Sequence, residues 1–339
     1  MGINKHKQGF LGWSLRMLMW ASLGFVVLVF AFEWHNPLGL RYSPGKPNQV
    51  KSYRMKMLGG VLKQQVQTFN NIGCLGENYS DTITRPKVFF IGSSTTLNSM
   101  VPWDSQWSAQ AMHGLPYWFN NAGVDGSGVG YWMKMLQSIS AYSPNYIVVL
   151  YAPRKSKSSA SPESTHWPML NKLKELAFVQ SVLIPYAYSL RANKKQEGYA
   201  VVDWRRLPSA KDSAEAIDTA YIQHSLKEAE LLIDSIQAIG AIPVFIAQPT
   251  PFGNYEEDGI RVGNLALAPK EIALHTALAQ GLQAICASRG MPFINGEQFP
   301  KTFRNYLDLS HFNEAGNKAF GAFIRDSLQA ILAKKFPVK

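Results

Sequence analysis

Downstream of residue 87 the chain alternates between short unbroken apolar runs and longer stretches whose apolar positions recur every three to four residues. Residues 88–91 (VFFI) form one run, closed by Gly92, and residues 146–151 (YIVVLY) and 242–247 (IPVFIA) form two more. Apolar runs of this length, bounded by turn residues, read as buried strands. Residues 117–120 and 292–295 supply a second and a fifth strand in chain order. Between them, residues 131–142, 214–239, 268–288 and 314–333 carry the helical spacing, and Asn313 stands where the last helix needs an N-cap. Strands alternating with helices predict an α/β domain with a parallel sheet covered on both faces. The expected architecture is a flavodoxin-like three-layer α/β/α fold with a five-stranded parallel sheet. Residues 152–213 break the alternation with a Ser/Lys-rich stretch and a helical segment at 170–190, and read as a lid or partner-binding insert.

The N-terminal pattern differs. Residues 17–32 (MLMWASLGFVVLVFAF) carry no charge, and the mostly apolar residues 9–15 extend them toward the ~20 residues a membrane span needs. Arg16 can snorkel to the headgroups, with Trp13, Trp20 and Trp34 as interface aromatics. A transmembrane helix is expected, with the N-terminus cytoplasmic because Lys5, Lys7 and Arg16 precede or open the segment. The following Glu33-Trp34-His35 lacks a small-x-small cleavage pattern, so the segment reads as an uncleaved anchor rather than a leader. The expected organisation is a tail and anchor over 1–33, a stem over 34–85 and a catalytic domain over 86–339. Pro37, Pro44 and Pro47 open the stem, and residues 50–69 read as a helix weakened by Gly59-Gly60.

The formal charge of +11 changes the picture only in part. The basic residues fall near the N-terminus, in the stem and in the insert, not in one run interleaved with aromatics, which argues against nucleic acid. Anionic headgroups or an acidic envelope polymer suit the first two groups, and solubility alone suffices for the third. Cys74 and Cys286 lie far apart without metal-ligand spacing, and are either a pair in an oxidising compartment or two buried thiols. Seven histidines include no His-x-x-x-His pair, so neither a metal nor a cofactor is expected.

In an open parallel sheet, ligands bind beyond the carboxyl ends of the strands. After the first strand comes Gly92-Ser93-Ser94-Thr95-Thr96, where a strand-to-helix turn can present a serine hydroxyl, although no glycine at 96 completes a G-x-S-x-G elbow. After the second comes Asn121-Ala122-Gly123-Val124-Asp125-Gly126. A dinucleotide loop fails there on glycine spacing, and an oxyanion loop fits better. Near the C-terminus, Asp308 and His311 stand three apart, close enough for the carboxylate to orient the imidazole.

Taken together these blocks resemble the SGNH (GDSL-like) hydrolase superfamily over roughly residues 87–336. The resemblance implies Ser94 as nucleophile, His311 as general base and Asp308 as its orienting acid. It also implies the Ser94 and Gly126 N–H groups as oxyanion donors, with Ser93 and Asn121 beside the substrate. Ser93 stands where the family has aspartate. Tyr151-Ala152-Pro153-Arg154 stands where it has Gly-x-Asn-Asp, which leaves Arg154 as the weakest oxyanion candidate. The anchor, the basic stem and the altered blocks resemble the membrane-anchored branch that O-acetylates or D-alanylates envelope polymers. That branch implies an acylated donor, a glycan acceptor, a multi-spanning O-acyltransferase partner in the membrane, and a periplasmic or extracellular catalytic domain. An extracytoplasmic carbohydrate O-acyl esterase and a catalytically inactive scaffold are the two other readings.

Overall fold

A computed structural model of the 339-residue chain describes residue 17 and residues 19–27, 43–152, 199–209 and 219–334. Chain contacts divide the protein into two units, one of residues 1–42 and 160–195 and one of residues 43–159 and 196–339. In the first, residue 17 and residues 19–27 are helical. Among the described residues no helix is long and apolar enough to cross a membrane, and most of the expected anchor (1–33) lies outside them.

The second unit begins with a correction. Residues 50–69 form an antiparallel hairpin, β1 (Val50–Lys56) and β2 (Leu62–Thr68), in place of the expected helix. Gly59 and Gly60 both take φ +84 at its turn, a conformation that glycine adopts without strain. The side chains alternate: Tyr53 and Met55 are buried while Ser52, Arg54 and Lys56 face outward. That period of two is the strand signature. The short β3 (Leu75–Gly76) then joins the edge of the main sheet, so the presumed stem from residue 43 is packed into the same unit as the strands and helices that follow it.

The main sheet grows from β4 (Lys87–Gly92), followed by helices α1 (Ser94–Leu97) and α2 (Trp107–Met112), β5 (Trp118–Asn121), α3 (Val129–Ser140) and β6 (Tyr146–Tyr151). Within the expected insert comes β7 (Tyr199–Ala200), and beyond it α4 (Thr219–Ala238) and β8 (Ile242–Ala247). A small hairpin, β9 (Glu256–Glu257) and β10 (Ile260–Arg261), precedes α5 (Ala268–Ser288), β11 (Phe293–Ile294) and α6 (Glu314–Ala333). The strand order is β11-β8-β6-β4-β5-β3. Neighbours pair in parallel except β3 on β5, so the sheet is mixed and six-stranded, not purely parallel with five strands. The antiparallel edge strand has two residues, too few to leave a periodic signal. β7 pairs with β1 instead, which makes the hairpin a three-stranded sheet.

Helices cover both faces. Trp107 and Met112 of α2 and Phe320, Ile324 and Leu328 of α6 pack on Val88, Phe90, Val148 and Ile246. On the other face α4 packs against α3 and α5, and the Tyr151 hydroxyl donates to the Ser225 carbonyl of α4 at 2.5 Å. Asn313 caps α6 as its position suggests, its side-chain oxygen accepting the Gly316 N–H at 2.8 Å. The expected insert is described only at residue 152 and residues 199–209. Residues 302–307 have the look of a disordered stretch in sequence, yet Phe303, Tyr306 and Leu307 are buried there. Both cysteines are buried free thiols, and burial pushes each up to about 12.

Candidate active site

The parallel strands run in the order second, first, third, fourth, fifth, so the chain reverses its winding direction between β4 and β6. Crevices at such switch points receive ligands. Ser94 stands at this point, immediately past β4. Gly92 makes the turn possible: a Cβ there would meet Thr96 Oγ1 at 2.1 Å, so only glycine lets α1 start so abruptly. The Ser93 carbonyl accepts the N–H groups of Thr96 and Leu97 at 3.0 and 3.1 Å. The Ser94 N–H falls in the first turn, where the helix offers it no acceptor of its own.

The partner residues arrive from the far end of the chain. Tyr306 and Phe312 bridge as an isolated antiparallel pair, and the Leu307 N–H donates to the His311 carbonyl at 2.7 Å. The tight loop between them carries both candidates. Asp308 Oδ1 accepts the backbone N–H groups of Ser310 and His311, each at 2.8 Å. Its Oδ2 lies 2.7 Å from His311 Nδ1, and His311 Nε2 lies 2.7 Å from Ser94 Oγ. The structure therefore brings Ser94, His311 and Asp308 into one hydrogen-bonded line across 217 residues of sequence. Burial raises the Asp308 carboxyl, but the His311 hydrogen bond and charge, with the two backbone donors, outweigh it and hold the group below its ordinary value. Asp308 is thus ionised, and fixes the imidazole with Nε2 toward the serine.

Two asparagines that the sequence reading passed over hold these segments together. The Phe312 carbonyl accepts from Asn98 Nδ2 at 3.2 Å and from Asn317 Nδ2 at 3.3 Å. Asn317 Oδ1 in turn accepts the Trp107 N–H at 2.9 Å, and Trp107 Nε1 donates to the Thr95 carbonyl at 3.1 Å. A buried clasp thus runs from the base's neighbour to the nucleophile's. Asn98 closes α1 in the left-handed region at φ 39, which asparagine tolerates better than most residues. Asn317 had a readable signal: a polar residue inside the apolar stripe Gly316, Phe320, Ile324 of α6.

Asn121 stands elsewhere than expected. Its side chain is fully buried and committed inward. Nδ2 donates to the Thr96 carbonyl at 2.6 Å and to Gln106 Oε1 at 2.8 Å, while Oδ1 accepts the Gly123 N–H at 2.8 Å. It ties the end of β5 to α1 instead of lining the substrate path. Gly123 then lies flush against α1, where a Cβ would come within 2.3 Å of the Leu97 nitrogen. The Val124 N–H and the Ser127 hydroxyl both donate to the Gly92 carbonyl, at 3.0 and 3.3 Å. These bonds carry the loop past the end of β4 and set Gly126 at φ +68, with its Cβ position facing open space. Ser93 is half-buried and does not cap α1 with its side chain. Arg154 lies outside the described residues. At the end of β6, the Tyr151 hydroxyl is turned toward the Ser225 carbonyl.

No family model matches the sequence, and no curated protein matches it. Among solved structures, the chain is similar to a carbohydrate acetylesterase from Sinorhizobium meliloti (10% identity, TM-score 0.44, covering 73% of this chain and 99% of that one). It is also similar to an aryl esterase from M. smegmatis (10%, 0.41, 73% and 99%). A third is a lipolytic protein of the G-D-S-L family from Veillonella parvula (11%, 0.40, 71% and 96%). Likeness of this size carries no weight for the reaction, which rests on the geometry above.

Proposed function

We propose that this chain is a serine-dependent acyl-transfer enzyme that forms an acyl-enzyme on Ser94. The observation that carries the proposal is the unbroken line from Asp308 through His311 to the Ser94 hydroxyl, with 2.7 Å at both imidazole nitrogens. His311 Nε2 takes the proton as Ser94 Oγ bonds to the carbonyl carbon of an ester. The carbonyl electron pair moves to oxygen, where the N–H groups of Ser94 and Gly126 receive it. Collapse breaks the ester bond, and His311 returns the proton to the departing alcohol. An incoming hydroxyl then repeats the sequence in reverse. A scaffold without activity has no physical need for this alignment.

The acceptor we propose is a sugar hydroxyl of an envelope glycan, and the transferred group an acetyl. The charge of +11 and the uncharged stretch at 17–32 support it, as does the reading of the sequence as an anchored, extracytoplasmic protein beside a multi-spanning acyltransferase. A fluorophosphonate probe tests the chemistry. Wild type is expected to label at Ser94, and Ser94→Ala to lose both labelling and about 10⁴-fold or more of turnover. Absence of labelling in a folded wild type would return the protein to the scaffold reading. Supplying an acyl donor with and without glycan tests the acceptor. Acyl release that ignores glycan would make the protein an esterase.

A further inference from the structure

The β1–β2 hairpin has two unlike faces. Its inner face belongs to the catalytic unit: Tyr53 and Met55 pack on Met100 and Leu307, and the Val202 N–H donates to the Leu307 carbonyl at 2.9 Å. Its tip is apolar and exposed, and its outer face sets Val50, Leu62 and Val66 among Ser52, Arg54, Lys56, Gln64 and Thr68. Val50, Leu58, Val61, Leu62 and Val66 are 65, 56, 66, 66 and 48% exposed. Residues 50–68 also carry Lys51, Arg54, Lys56 and Lys63, all exposed, and contain no Asp or Glu. The acidic groups that reach the hairpin act from its inner side, Glu314 toward Lys63 and Asp125 toward Tyr53.

We infer that this hairpin docks on an anionic lipid surface, with Leu58, Val61 and Leu62 entering the acyl boundary and the basic side chains meeting the headgroups. Exposed aliphatic residues at a protruding tip, ringed by cations, are what an interfacial segment presents to a membrane. An acidic glycan would instead call for an exposed aromatic platform. The one aromatic residue of the hairpin, Tyr53, is turned inward. The consequence for chemistry is positional. The loop bearing Asp308 and His311 is anchored to the inner face, so a docked tip holds the catalytic line within a strand length, roughly 20 Å, of the headgroups. The inference goes beyond the proposed acyl transfer and does not depend on it.

The test uses the full chain with Leu58→Cys carrying an environment-sensitive fluorophore. The native thiols do not interfere, because Cys74 and Cys286 are buried. With vesicles of phosphatidylcholine and phosphatidylglycerol, the label at 58 is expected to shift to the blue and brighten about twofold, and to be quenched by lipid-borne quenchers. The same label at Glu230→Cys, on the exposed side of α4, is expected to stay unchanged. Replacing Lys56 and Lys63 by Gln is expected to weaken the response about tenfold. Insertion by a Ser94→Ala variant equal to wild type separates this result from the catalytic one. An emission at 58 unchanged by vesicles would overturn the inference. So would a shift produced equally by a soluble anionic polysaccharide without lipid, or one indifferent to anionic lipid and salt.

Discussion

Among the described residues, two histidines with largely buried side chains, His275 and His311, sit among carboxylates, and the contrast between them shows what makes one a candidate base. His275 lies on α5 with Nδ1 3.0 Å from the Gln248 carbonyl and 3.4 Å from Glu297, while Nε2 faces Glu271 at 3.9 Å. Glu297 is engaged further, accepting from Lys301 at 2.7 Å and from the Thr250 N–H at 2.8 Å. Every neighbour of His275 is an acceptor, so the ring has nothing to deprotonate, and the cluster is a structural knot joining α5 to the loops after β8 and β11. His311 has the Asp308 carboxylate on Nδ1, with Ser310 Oγ 3.3 Å from the same nitrogen, and the Ser94 hydroxyl on Nε2. The residue types are nearly the same and the burial is similar, with side chains 9 and 14% exposed. The difference is the group at the second nitrogen, and its position at the switch point of the sheet.

His311→Ala makes the sharpest break in this contrast. Without a general base, acyl-transfer turnover is expected to fall about 10⁴- to 10⁶-fold, with little change in the thermal midpoint. A loss of activity matched by unfolding would erase the distinction from His275. Next comes Asp308→Asn, which keeps the shape but no longer fixes the tautomer, with an expected loss of about 10⁴-fold in kcat. Since the Asp308 carboxyl is held below its ordinary value of about 3.9, its stabilising contribution is complete above that value. It is lost as pH falls through the folded value. Acid unfolding of Asp308→Asn is therefore expected to lack this component, which denaturant titrations between about pH 5 and 2 would measure.

Asn98→Ala tests the clasp. The Phe312 carbonyl keeps Asn317, and through Trp107 an indirect tie to α1, but loses its direct bond to the end of that helix. A displacement of the imidazole by a fraction of an ångström is expected to lower kcat about 10- to 100-fold while KM holds. Fluorophosphonate labelling should slow in the same proportion. A uniform loss of stability with normal kcat per folded molecule would make Asn98 merely a packing residue.

Much of this arrangement was readable before any coordinates, for identifiable reasons. β6 and β8 are unbroken apolar runs because both of their faces are covered, and their bounds match the expectation residue for residue. The last helix announced itself by its spacing and by Asn313. Ser94 is legible as a motif position at a strand end, where chemistry gathers in open sheets, and Asp308 and His311 as an Asp-x-x-His pair just ahead of the last helix. The hairpin is less legible because Val50, Tyr53 and Met57 also satisfy a helical spacing over a short window, and Gly59-Gly60 suits a turn as well as a weak point in a helix. Asn121 differs for another reason. The resemblance of residues 121–126 to the family's second block implies a side chain beside the substrate, but here the amide is buried and fastens β5 to α1, and sequence does not tell a lining side chain from a fastening one.

The smallest expected effect belongs to the other histidine. His275→Leu leaves Glu271 and Glu297 largely buried with a lost partner, at an expected cost of about 2 kcal/mol in stability and none in kcat per folded molecule. The pH dependence gives a finer check. Burial raises the Glu297 carboxyl, but His275 and Lys301 outweigh it and hold the group below its ordinary value. A depressed carboxylate contributes fully above its unfolded value, about 4.3, and loses that contribution as pH falls through the folded one. The stability gap between wild type and His275→Leu should therefore narrow on acidification from about pH 6 to 3. A gap that widened, or a kcat that fell with the substitution, would mean that the second histidine takes part in the reaction and that the contrast between the two clusters is misdrawn.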